Sequence, residues 1–139
     1  MPETSNIDTV ELDLHYRRQA LNRANDQVTE FSEDAARMRQ LSAALIYEVQ
    51  PLRTSFTRLR ALHIAQTWQG QAATASRGRL DALEARQTSA IRQIDHLIDD
   101  LDTQARALDH QRIAALAEVR TLEWQIDELE SLRIALFHE

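Results

Sequence analysis

The chain of 139 residues has no cysteine and no lysine. Without cysteine there is no disulfide framework, no thiol nucleophile and no thiolate-held metal. Two glycines and two prolines leave too few turn-formers for a sheet protein with many hairpins. No apolar run approaches the ~20 residues that span a bilayer. The opening stretch Met1–Asp13 is polar and acidic, so no signal peptide is expected. Catalytic signatures are missing too. There is no Gly-rich phosphate loop and no Glu-x-x-His pair, and no two of the five histidines (His15, His63, His96, His110, His138) stand four residues apart. Asp95, Asp99 and Asp102 fall on adjacent helical turns, where a solvated acidic face is the expectation rather than a cation site. The sequence therefore predicts a protein that is not an enzyme and takes no cofactor or metal.

What the chain does have is periodicity. Alternate steps of three and four residues from Ile7 to Leu59 meet apolar side chains at fourteen of sixteen positions, where composition alone would give roughly seven. The interruptions are Arg17 and Ser42. A second register from Ile91 to Leu136 is apolar at twelve of fourteen positions, broken by Arg112 and Arg133. A repeat that holds to seven marks a coiled-coil seam with a left-handed supercoil. Between the two registers lies Trp68-Gln69-Gly70, at the middle of the chain. Gly70 supplies the conformational freedom that ends a helix. The fold expected is all-α: one domain over 1–139, with a helix over about 9–67, a turn at 68–70 and a helix over about 71–137. Asp8 and Glu11 form a plausible capping box with Ile7 and Leu12 as its staple. Pro51 is expected to kink or break the first helix near 47–51, with a kink tolerated in a continuous helix the favoured outcome, and Thr74–Gly78 could delay the second by a turn.

Two amphipathic arms joined at Trp68-Gln69-Gly70, with Ala72 and Ala73 following, resemble the WXG family of helical-hairpin proteins exported by type VII secretion systems. The resemblance implies that Trp68 and Gly70 form the turn of a long antiparallel hairpin, and that two hairpins pair into a four-helix bundle. It implies a secreted substrate, or a partner that carries one, cytoplasmic before export. The family's export signal, Tyr-x-x-x-Asp/Glu after the second helix, has no counterpart here. Trp124 followed by Glu128 is the nearest imitation and lies inside the second arm, so a partner would carry the signal. A second reading is a cytosolic coiled-coil stalk or escort in another bacterial export apparatus, which also uses a hairpin and charged tips.

Charge is uneven. Between Pro51 and Leu80 stand Arg53, Arg58, Arg60, Arg77 and Arg79 with no acid, whereas Glu118–Glu130 holds five acids against Arg120 alone. In a hairpin the arginines would gather as a basic tip, suited to steering partners. Five arginines make only a small patch on an acidic protein, which argues against nucleic acid. With the turn at 69, Asp26 is expected near Arg112 and Glu123 near Arg17. Apolar residues off the seam point to a second helical neighbour. Leu83, Ala90 and Leu97 repeat every seven residues, and Ile113, Ala117 and Trp124 are read as continuing that line, with Tyr47 on the first arm. A lone two-helix core is marginal, so pairing with itself or another hairpin is expected through these residues.

Overall fold

A computed structural model describes the backbone of residues 2–65 and 71–138 and the side chains of residues 6–61 and 77–138. The expected Trp-x-Gly turn, together with Leu62, His63, Ile64, Ala72 and Ala73 as side chains, lies outside the described residues. Two helices account for everything described: α1 over Pro2–Ala65 and α2 over Gln71–His138, with no strand among the described residues.

α1 begins well ahead of the expected start at Thr9. Proline fits the first helical position because its missing N–H would be unsatisfied there anyway, and nothing between Pro2 and Thr9 stops the helix. Asp8 and Glu11 are therefore ordinary exposed helical residues rather than a capping box. The staple does not form either: Ile7 turns toward the seam, while Leu12 stays largely exposed. Of the two outcomes expected near 47–51, the helix stays continuous: α1 runs through Pro51 without a break. Tyr47 and Pro51 both face outward, so the Tyr47 carbonyl that loses its amide donor is open to water rather than stranded. α2 starts at Gln71, with no delay over Thr74–Gly78.

The helices pack against each other along the seams. Every seam position from Ile7 to Leu59 is buried or half-buried except Leu52, and so is every one from Ile91 to Leu136. Packing divides the chain into two compact units, each built from both helices: Met1–Ala36 with Arg106–Glu139, and Arg37–Ala105. In the first unit Val10 and Leu14 cluster with Ile126, flanked by Leu21, Leu129 and Leu136. Ala24 clusters with Val119 and Leu122. Rising numbers on α1 meet falling numbers on α2, so the pair is antiparallel. In the second unit the antiparallel order is set by Ser42 facing Asp102 and Arg53 facing Asp95.

The core is thin because two helices bury only the stripe between them. Many fully buried positions are small, including Ala24, Ala35, Ala105 and Ala115, and only Leu14 and Val49 are large side chains below 2% exposure. Small residues bring the helices close, yet they withdraw little apolar area from water. Among the described residues thirteen large hydrophobic side chains remain exposed, more than this stripe can cover.

Candidate partner-binding surface

The polar residues inside the seam set the register between α1 and α2. The Ser42 hydroxyl, 4% exposed, donates to Asp102 Oδ1 at 3.1 Å. Arg17, half-buried, donates to Gln125 Oε1. Its partner is thus Gln125 rather than the expected Glu123. An equal-armed turn at residue 69 would set Ser42 opposite His96; its observed partner is Asp102. Register in a heptad pair can slide by whole repeats without spoiling the apolar seam, and fixed polar contacts select one setting. The expected Asp26–Arg112 pair does not form. Instead Arg112 Nε is buried with no hydrogen-bond partner, a costly state for a charged group. Gln87 Oε1 is in the same position.

Surface ion pairs join the two helices in both units. Arg18 bridges Glu130 at 2.8 Å, and Arg53 bridges Asp95, all four side chains about half exposed. Such pairs contribute about 0–1 kcal/mol each. Of the five arginines expected as a basic tip, Arg53 is thus tied to Asp95, and Arg77 also has a partner. Arg58, Arg60 and Arg79 are exposed and make no ion pair among the described residues. Asp95 and Asp102 are engaged across the helix pair and do not converge with Asp99. No group of three or more His, Asp or Glu side chains among the described residues could hold a metal ion, and no helix there is long and apolar enough to cross a membrane.

The residues expected to meet a partner fall into three places. Leu83 and Leu97 are exposed and Ala90 is half-buried, on a line that flanks the seam of α2. Ile113, Ala117 and Trp124 are exposed on the part of α2 that belongs to the first unit. Trp124, 62% exposed, lines a notch with Asp127, Glu128 and Ser131, so the aromatic and acid that imitate an export signal do share one surface feature. Tyr47, 80% exposed, lines a groove on the outer side of α1 with Gln50, Pro51, Thr54, Ser55 and Arg58.

Sequence reasoning passed over a further apolar site. Ile7, Glu11, Arg133, Ile134, Phe137 and His138 line a groove between the first turns of α1 and the last turns of α2. Leu12, Tyr16, Ile134 and Phe137 are exposed in the same unit. The signal was available: these residues stand off the seam, but attention to lines of seven hides apolar residues that share no repeat.

No family model, no curated protein and no solved structure matches this chain.

Proposed function

We propose that this protein is a non-enzymatic helical hairpin that works by pairing with itself or with another helical hairpin, in the manner of the WXG-type substrates and partners of type VII secretion. The observation that carries the reading is the mismatch between a thin seam and a broad exposed apolar surface. One antiparallel helix pair covers its two seams and leaves Tyr47, Ile113 and Trp124 outside. Exposed aromatic and aliphatic side chains on the outer faces of a helix pair are what a second pair would cover to complete a four-helix bundle. The type VII assignment rests on Trp68-Gln69-Gly70 lying between the arms.

Native mass spectrometry of the protein, alone and mixed with the products of neighbouring genes, tests the reading. A dimer, or a one-to-one complex with another hairpin encoded near a membrane-bound FtsK-like ATPase, is the expected result. A chain that stays monomeric in every mixture overturns the pairing function. Neighbours that include a rotary-type export ATPase would move the assignment to a coiled-coil stalk or escort.

A further inference from the structure

The notch at Trp124 and the arginines of the acid-free stretch fit each other, and this names a partner within the pairing function just proposed, on which the inference rests. We infer that a second copy of this chain docks the outer face of its α1, around Tyr47 and Arg58, onto the outer face of α2 around Ile113 and Trp124. In that contact Arg58 stacks on the Trp124 indole and meets the carboxylates of Asp127 and Glu128.

The chemistry of the notch selects the ligand. An exposed indole with two acids one turn along the same helix offers a π face and a pair of acceptors together. A guanidinium uses both, lying flat on the ring while its N–H groups reach the carboxylates. Neither Asp127 nor Glu128 makes an ion pair among the described residues, and Arg58 makes none either. Because the chain has no lysine, any long-chain cation a second copy presents is an arginine. The fields agree in sign: the stretch from Pro51 to Leu80 carries arginines and no acid, while Glu118–Glu130 is strongly acidic. Opposed fields of this kind orient an encounter before contact.

The spacing agrees as well. Tyr47 and Arg58 are separated by eleven residues on α1, and so are Ile113 and Trp124 on α2. Eleven residues span roughly 16 Å of helix and return to nearly the same face. Two such faces laid parallel bring Tyr47 over Ile113 and Arg58 over Trp124 at once. Tyr47 and Arg58 already share one groove, so the docking face exists as a continuous surface.

Sedimentation equilibrium of the full chain tests this, with circular dichroism confirming that each variant keeps its helix content. Arg58→Glu, Glu128→Arg and Trp124→Ala should each weaken self-association at least about tenfold. The wild-type affinity should also fall as salt rises. Mixing Arg58→Glu with Glu128→Arg chains should restore association, because each retains the half that the other lacks. Self-association unmoved by Arg58→Glu overturns this docking while leaving the pairing function in place. A wild-type chain that is monomeric even at about 100 µM also overturns it, and the mixtures with neighbouring gene products then decide whether the pairing function stands.

Discussion

Ser42 and Asp102 meet across the helix pair, the hydroxyl donating to the carboxylate at 3.1 Å from a position 4% exposed. This is a buried polar contact in a seam that is otherwise nearly all apolar. Such a contact stabilises modestly, because each partner surrenders hydrogen bonds to water. Ser42→Ala should therefore cost about 1 kcal/mol or less, partly offset by the better helix propensity of alanine. Ser42→Leu is a different test. It pushes three further carbons into a closely packed site and should cost about 1–3 kcal/mol by overpacking. Urea unfolding followed by circular dichroism at 222 nm would separate the two. Equal, small effects would mean that the helices are further apart at this level than the burial of Ser42 implies.

Leu14 and Leu12 make a matched pair two positions apart. Leu14 is 1% exposed within the cluster with Val10 and Ile126, whereas Leu12 is 53% exposed. Leu14→Ala should lower stability by about 2–5 kcal/mol, the usual range for a buried leucine. Leu12→Ala should stay within about 0.5 kcal/mol in the isolated chain. The same denaturation measurement checks both, and reversed sizes would place the capping-box staple back in the structure.

Arg112 offers a prediction of opposite sign. Its Nε is buried without a hydrogen-bond partner, so that N–H gives up water and gains no bond in return. Arg112→Leu keeps the bulk at a seam position and removes the unsatisfied group. It should raise stability by about 1–3 kcal/mol. Arg17→Leu should gain less, since Arg17 has Gln125 to bond. A melting temperature for Arg112→Leu at or below the wild type would show that the guanidinium finds compensation elsewhere.

These residues also mark how far the sequence could be read. Apart from the exposed Leu52, the seam was legible, because burial between two helices follows a period that single residues rarely disguise: Val10, Leu14, Ala24, Val49, Val119 and Ile126 all lie where the repeat puts them. Register was not. A heptad pattern places the seam but does not say which polar side chains meet across it, so equal arms around residue 69 put Arg17 on Glu123 instead of Gln125. The start of α1 was misplaced because Asp8 and Glu11 have the composition of a cap without the interruption that a cap requires. The outer surface was legible residue by residue, since Trp124 and Tyr47 stand out of phase with the seam.

Gly78 lies inside α2, and a Cβ added there would meet no atom within 4 Å. Neither a close approach nor a tight turn requires glycine at this point. Gly78→Ala should then stabilise the chain by about 0.5–1 kcal/mol, chiefly by narrowing the unfolded ensemble. Thermal unfolding read at 222 nm would measure it. A loss of stability would mean that the residue is needed to bend or open α2 in a way a continuous helix does not display.

Pro51 is the sharpest test of helix continuity. The residue sits within α1 with helix on both sides, where its ring denies the Tyr47 carbonyl a backbone donor and crowds the preceding turn. Thr54 and Thr57 follow, their hydroxyls bonding back to the carbonyls of Gln50 and Arg53 at 3.1 and 3.0 Å, so the helix resumes at once. Pro51→Ala restores the missing amide and removes the clash. Proline is about 3 kcal/mol worse than alanine in a helix interior, and water at the exposed Tyr47 carbonyl recovers part of that. A gain of about 1–3 kcal/mol is therefore expected, with slower amide exchange over residues 47–55. If the substitution destabilises the chain instead, the proline is shaping the groove it shares with Tyr47 and Arg58, and the loss should then appear together with weaker self-association.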